Sequence, residues 1–179
     1  RVNISLDSLR PERFRSITRF GDLHDALAGL AAARAAGLAP IKVNMVVARG
    51  FNDDEIARFA DWSAEEDIHV RFIELMPMGE TGFFSKERWV SLDEIMAQAG
   101  PLVPAGDKAP AGCGPARVFQ RPGGRGTVGF IAALSASFCA SCNRMRLAAD
   151  GTLHPCLDGV GGTGLRDPLR SGAGPGQLR

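Results

Sequence analysis

The order in which extended and helical patterns alternate limits this chain more than any single motif does. Val2-Asn3-Ile4-Ser5-Leu6-Asp7 alternates apolar and polar residues at period two, and Ile41 to Val47 and Val70 to Leu75 are β-branched or apolar runs of strand length. Between the first two runs, Asp22 to Ala36 carries Leu23, Ala26, Leu27 and Leu30 at helical spacing and is followed by Gly37, suited to the left-handed position after a helix. Between the second and third, Asn52 with Glu55 resembles a capping box that opens a helix through Ala64. Strands joined by helical crossovers of this length lie parallel with right-handed connections, so the class is α/β, an α/β barrel or an open doubly wound sheet. Three strands make an incomplete sheet, and the chain enters the first directly after Arg1. It is therefore expected to be part of a longer protein.

The strand faces are unusual for that class. Parallel strands are normally covered on both sides and read as continuous apolar runs. Here Asn3, Ser5 and Asp7 share one face of the first strand, Lys42 and Asn44 one face of the second, and the third carries Arg71 on one face and Glu74 on the other. Two readings stay open: polar strand ends that meet water, or a polar lumen that holds a ligand.

The pattern changes after Met76-Pro77-Met78-Gly79. A loop through Phe83, Phe84 and Trp89 leads to Ser91-Leu92-Asp93-Glu94, a capping-box signature for a short helix to Ala99. Beyond Gly100 come two hairpin patterns: Ala116 to Gln120 with Thr127 to Ala133 across a Gly123-Gly124 turn, then Arg144 to Ala149 with Thr152 to Leu157 across Asp150-Gly151. The stretch 159–179 holds seven Gly and two Pro in 21 residues and is expected to be poorly ordered alone. The organisation read from the sequence is thus part of a barrel over 1–100, an appended hairpin-rich domain over 101–158, and a Gly-rich tail.

Charge narrows the function classes. With 21 Lys+Arg against 20 Asp+Glu, the chain has no field for neutralising an extended run of phosphates, so nucleic acid is not an expected partner. No apolar stretch approaches the roughly 18 residues that span a bilayer, and the expected location is the cytoplasm. Any basic site must be local.

Cys139-Ala-Ser-Cys142, followed after 13 residues by Cys156, is the strongest chemical signal. A CxxC knuckle lets two thiolates point at one centre, and the Asp150-Gly151 turn folds Cys156 back toward it. With a two-residue turn, Ala149 pairs with Thr152 and Met145 with Cys156. A metal is the better class than a disulfide in such a protein. Zinc, an iron–sulfur cluster and plain structural cysteines all remain open at this point; zinc would want a fourth ligand, for which Cys113 and His154 are the candidates. A cluster with three thiolates would leave one iron open to a substrate atom. Asn143-Arg144-Met145-Arg146 places two guanidiniums beside the cysteines, suited to phosphate oxygens. In the simple hairpin register, however, Arg144 and Arg146 face away from Met145 and Cys156.

These segments together resemble the GTP 3′,8-cyclase family, radical S-adenosylmethionine enzymes that start molybdenum cofactor biosynthesis. The similarity runs through Arg1-Val-Asn-Ile-Ser-Leu-Asp-Ser8, Ile41-Lys-Val-Asn44, Gly50-Phe-Asn-Asp-Asp-Glu55, Arg71-Phe-Ile-Glu-Leu-Met-Pro-Met-Gly79, Gly123-Gly-Arg-Gly126 and Phe138-Cys-Ala-Ser-Cys-Asn-Arg-Met-Arg-Leu147. The resemblance implies a partial (β/α) barrel with an appended β-hairpin-rich iron–sulfur domain, S-adenosylmethionine and GTP in the lumen, and two [4Fe–4S] clusters. It implies that Ser5 and Met76 contact S-adenosylmethionine, that Lys42, Arg71, Arg144, Met145 and Arg146 contact GTP, and that Cys139, Cys142 and Cys156 hold the auxiliary [4Fe–4S] cluster. The implied downstream partner is the cyclic pyranopterin monophosphate synthase, and a homodimer is compatible with the resemblance. Two family features are absent from these 179 residues: the CxxxCxxC motif of the first cluster, expected in a preceding part, and a Gly-Gly C-terminus. The chain alone is therefore expected not to complete the reaction.

Overall fold

The computed structural model describes residues 1–77, 82–110, 114–136, 138–142, 144–156 and 161–177. They form two compact units, Arg1–Phe138 and Cys139–Arg179.

The first unit is built on a six-stranded sheet. In chain order its elements are β1 (Val2–Ser5), α1 (Pro11–Thr18), α2 (Leu23–Ala35), β2 (Ile41–Val47), α3 (Ile56–Glu65), β3 (His69–Glu74), α4 (Leu92–Gln98), β4 (Val103–Pro104), β5 (Arg117–Gln120) and β6 (Thr127–Ile131). The sheet order is β1-β2-β3-β6-β5-β4, with β1, β2, β3 and β6 mutually parallel and β5 and β4 antiparallel. The βαβαβ reading is borne out. The hairpin expected near Gly123-Gly124 is present as β5 and β6, but β6 also pairs with β3, so 101–138 continues the first unit's sheet across the boundary read at residue 100.

Helices cover one face of this sheet: α2 lies on β1 and β2, α3 on β3 and β6, and α4 on β6. Beneath them Val43, Met45, Val70, Phe72, Val128 and Phe130 are almost wholly buried. An aromatic chain crosses the layer, with ring centroids 5.8 Å apart for Phe119 and Phe130, 5.7 Å for Phe130 and Phe72, and 6.5 Å for Phe72 and Phe59. Full burial of one such ring stabilises the fold by about 1.5–3 kcal/mol, so this layer dominates cohesion of the unit.

Residues 123–126 deliver β6 to its place. Arg125 N donates to Ala64 O (3.0 Å), Gly126 N to Ser63 O (2.9 Å) and Thr127 N to Ile68 O (3.1 Å), so the segment satisfies carbonyls at and just beyond the C-terminal end of α3. A Cβ on Gly126 would lie 2.0 Å from Ile68 O and 2.6 Å from Ser63 O. Only glycine permits that approach.

Capping follows the sequence reading at α4 and departs from it at α3, and α2 has an N-cap the sequence reading did not name. Asp22 accepts from His24 N (2.8 Å) at the start of α2, and Ser91 and Glu94 form the expected box at α4. Asn52 and Glu55 do not form one. Asn52 Oδ1 accepts from Ala48 N (2.8 Å) while its Nδ2 donates to Asp7 O (2.8 Å) and Val46 O (2.9 Å), closing the ends of β1 and β2. Glu55 accepts from Ser8 Oγ, Leu9 N and Arg13 Nη1, each at 2.7 Å. Glu55 is spent on contacts distant in sequence, and Asn52 on one such contact to Asp7 and two to the end of β2.

Glu74 is the third buried tie. It is 1% exposed, and its carboxylate accepts from Leu92 N (2.9 Å), Leu134 N (2.8 Å), Ser135 N (3.0 Å) and Ser135 Oγ. One side chain at the end of β3 thereby anchors the start of α4 and the loop after β6.

The second unit contains β7 (Arg146–Leu147), β8 (Thr152–His154), β9 (Thr163–Gly164) and α5 (Arg166–Arg170), the strands forming an antiparallel sheet in that order. The stretch read as a poorly ordered tail therefore contributes a strand and a helical turn. Leu165 N donates to Gly151 O (2.9 Å), joining that stretch to the β7–β8 turn.

Replacing Glu74 by Gln keeps the shape of the side chain and removes half of its acceptor capacity in a buried site. The expected loss is about 3 kcal/mol, seen as a lower urea midpoint at unchanged slope. A loss below about 0.5 kcal/mol would contradict the anchoring role.

Candidate functional site

The face of the sheet opposite the helices is polar in register. Asn3, Lys42, His69 and Thr127 lie in one cross-strand row; Ser5, Asn44, Arg71 and Gly129 lie in the next. The polar alternation seen in the sequence thus resolves into two adjoining rows on one side of four parallel strands. A parallel sheet covered by helices on one side and lined with polar side chains on the other has the chemistry to hold a polar ligand.

Within those rows Arg71 is held by two amides. Its Nε donates to Asn44 Oδ1 (2.8 Å) and its Nη2 to Asn3 Oδ1 (2.7 Å). A Cβ on Gly129 would sit 3.1 Å from Arg71 Cγ, so the glycine leaves room for the arginine stem. Lys42 is buried, at 4% exposure. His69 Nδ1 and Thr127 Oγ1 are hydrogen-bonded at 2.7 Å. Burial holds the His69 imidazole below its ordinary value of 6.5; Asp67 opposes that shift, and Lys42 and Arg71 reinforce it.

Ser5 and Met76 stand at the C-terminal ends of parallel strands, Ser5 as the exposed last residue of β1 and Met76 half-buried two residues beyond β3. Functional groups on parallel α/β sheets gather at that end. At its border Asp7 Oδ1 accepts from Val46 N (2.8 Å), and burial raises the Asp7 carboxyl despite that bond. A cavity of about 640 Å³ lies at the opposite end, against Pro40, Glu66, Asp67, His69, Lys108 and Arg125. None of the ligand-contact residues expected from the sequence lines it.

The second unit carries the cysteines. Cys139 begins a 3₁₀ turn, Cys139–Ser141, and Cys142 N donates to Cys139 O (3.1 Å). Residues three apart in such a turn lie above one another, which puts both cysteines on one side. Cys139, Cys142 and Cys156 are exposed thiols. The donor set suits an iron–sulfur cluster chemically, yet among the described residues no three His, Cys, Asp or Glu side chains are gathered at one centre. Cys113, Asn143, Leu157 and the Met78-Gly79 pair fall outside the described residues.

The hairpin register corrects the sequence reading. Arg146 pairs with His154 and Leu147 with Leu153, whereas the two-residue turn had Ala149 facing Thr152 and Met145 facing Cys156. The turn has three residues instead: Ala148 N donates to Thr152 O (2.9 Å), Gly151 N to Ala148 O (3.0 Å), and Gly151 takes φ +86°. Asp150 Oδ1 accepts from Thr152 N (2.9 Å), which lowers its carboxyl. This is the loop in which a left-handed glycine follows a type I turn. Counting on from Arg146 and His154, Arg144 falls opposite Cys156, so the conflict between arginine and cysteine faces disappears. Met145 and Leu147 are both 66% exposed.

The family model described as Molybdenum Cofactor Synthesis C matches residues 68–179. The chain belongs to that family. Ahead of the Molybdenum Cofactor Synthesis C match, residues 1–63 match the Radical SAM superfamily model. A GTP 3′,8-cyclase of Moorella thermoacetica is 51% identical over 176 residues, covering 97% of this chain and 54% of that protein. Those of Pelotomaculum thermopropionicum and Heliobacterium modesticaldum are 47% and 50% identical, covering 99% and 97% of this chain and 55% and 54% of their own lengths. The chain spans about half the length of the curated relatives it matches. No helix among the described residues is long and apolar enough to cross a membrane.

Lys42 and Arg71 lie on the polar face as the alternation of the sequence placed them, whereas His69, Asn52 and the use of Glu55 were not read from the sequence. His69 sits at the period-two position before Arg71, a signal that was available. Asn52 and Glu55 act through contacts that no local pattern announces.

Because the folded state holds His69 neutral to a lower pH than the unfolded chain does, the unfolded state takes its proton first as pH falls. Stability should therefore fall as pH drops through about 6.5. Urea midpoints at about pH 7.5 and 5.5 measure this, and His69→Gln should reduce the difference; an unchanged difference would exclude His69 as the source.

Proposed function

We propose that this chain supplies the GTP and auxiliary-cluster part of a GTP 3′,8-cyclase, forming (8S)-3′,8-cyclo-7,8-dihydroguanosine 5′-triphosphate from GTP in molybdenum cofactor biosynthesis. The observation that carries the reading is the double row of polar residues on the face of a parallel sheet opposite the helices, in a chain that matches both family models. On this reading the sheet is part of a radical SAM partial barrel and its polar face lines the lumen.

Lys42 and Arg71 act as cations for the triphosphate, and Arg144 and Arg146, with Met145 between them, are further GTP contacts. Guanidinium suits this task because its fork matches two phosphate oxygens at once. Ser5 and Met76 contact S-adenosylmethionine at the C-terminal ends of the strands. Cys139, Cys142 and Cys156 hold the auxiliary [4Fe–4S] cluster, and a second cluster belongs to a preceding part of the protein. When bound, the clusters and S-adenosylmethionine supply the one-electron chemistry. The chain's own residues bind and orient the nucleotide, and a walled lumen keeps water and stray hydrogen donors from the reacting carbon. The product would pass to the cyclic pyranopterin monophosphate synthase, in the cytoplasm.

Closure of the three cysteines around one centre should accompany cluster loading, as metal binding and local folding are coupled. Anaerobic reconstitution is expected to give a brown, oxygen-sensitive protein with about four iron and four sulfide per chain. Cys139→Ser, Cys142→Ser and Cys156→Ser should each lower that content. A colourless, air-stable protein holding zinc would establish the zinc module instead.

GTP titration tests the nucleotide reading. Arg144→Ala and Arg146→Ala should each weaken binding by about tenfold or more. Unchanged affinity in both would remove these arginines from the site.

A further inference from the structure

The two asparagines that hold Arg71 are oriented by chemistry as well as by geometry. A guanidinium only donates hydrogen bonds, so each amide must turn its oxygen toward Arg71 and its NH2 group away. Arg71 Nε meets Asn44 Oδ1 at 2.8 Å and Arg71 Nη2 meets Asn3 Oδ1 at 2.7 Å. The carbonyl ends are therefore committed. Among the described residues, neither amide nitrogen makes a hydrogen bond, and neither is a buried polar atom without a partner. Both NH2 groups are open on the polar face, and Gly129 bounds the stem of the same arginine.

We infer that Asn3 and Asn44 are positioning residues for Arg71 that also add two outward N–H donors, making this patch of the sheet a site for an anionic oxygen group. The inference rests on the reading of Arg71 as a ligand contact and extends it to residues with no charge. The arrangement has a clear division of labour. The amide oxygens fix the plane of the guanidinium, which would otherwise lose rotamer freedom on binding, and the amide nitrogens face the ligand. Lys42 lies in the same row as Asn3, and the two amide NH2 groups can only donate. Phosphate and carboxylate oxygens are the matching acceptors: the triphosphate of GTP and the carboxylate of S-adenosylmethionine are the two sources.

The test uses Asn44→Asp, Asn44→Ala, Asn3→Ala and Arg71→Ala, each titrated with GTP, guanosine and S-adenosylmethionine. Asn44→Asp is the decisive variant. It keeps the shape and the acceptor facing Arg71, but replaces an outward donor by an acceptor and adds a negative charge to the patch. It should weaken GTP binding more than Asn44→Ala does, by about tenfold or more, and leave guanosine binding unchanged. Asn3→Ala and Asn44→Ala should each weaken GTP binding by about three- to tenfold. In an Arg71→Ala background the loss from either should shrink, since the positioning part is then gone.

If Arg71→Ala itself leaves both GTP and S-adenosylmethionine binding intact, the reading of Arg71 as a ligand contact fails. If Arg71→Ala weakens GTP binding and Asn44→Asp does not, only the present inference fails. Equal losses for guanosine and GTP would mark a general structural effect and also overturn it. Losses confined to S-adenosylmethionine would uphold the anion patch and assign it to the carboxylate.

Discussion

Everything in the first unit depends on how closely residues 124–126 approach the end of α3. There the backbone amides of Arg125, Gly126 and Thr127 meet carbonyls at Ser63, Ala64 and Ile68, and the space left at Gly126 admits no side chain. The contact sets where β6 begins and therefore which of its residues stand beside β3. From that register come Phe130 against Phe72 on the covered face and Thr127 against His69 and Gly129 against Arg71 on the other. A hydrogen-bonded helix end thus determines the chemistry on a surface it does not touch. The Gly-Gly-Arg-Gly segment, read first as part of a resemblance, has a mechanical reason to be what it is.

The sheet keeps its apolar and its polar side chains on opposite faces. Helices, aliphatic side chains and an aromatic chain occupy one side, and this side carries most of the hydrophobic stabilisation. The other side holds few apolar groups, so its polar residues can be arranged for a ligand with little conflict with the core. Buried polar side chains then tie the strand ends together: Asn52 at β1 and β2, Glu55 at the turn after β1, Glu74 at β3, α4 and the loop after β6. Fully satisfied groups of this kind are rigid, because breaking one bond leaves a desolvated partner. The loops that follow the strands start from fixed points.

Much of this was legible in the residues because it is local. Period-two alternation located β1 and apolar runs located β2 and β3, all within two residues, Ser91 with Glu94 announced α4, and the polar positions Asn3, Lys42 and Asn44 were each assigned to one face of their strand. What escaped was nonlocal or depended on a single conformational choice. The α1 helix has only Phe14 buried and hence almost no apolar period to detect. The pairing of β6 with β3 joins residues 58 apart at His69 and Thr127, and no local pattern encodes it. Asn52 and Glu55 fit a capping box by type and spacing, and tertiary contacts claimed both side chains. Asp150-Gly151 is equally suited to a two-residue and a three-residue turn, and the structure uses the latter.

That last choice acts as a phase setting for the second unit. In a ribbon with two faces, the number of residues in the connecting loop decides which side chains of one strand share a face with those of the other. With three residues between Ala148 and Thr152, Arg146 shares a face with His154, and Leu147 shares the other with Leu153. Removing one residue from the loop would invert that assignment for the whole return strand while leaving its composition unchanged. Length in this loop is therefore as much a part of the coding as the cysteines are, and a family alignment that opened a gap here would misassign chemistry rather than merely shift numbering.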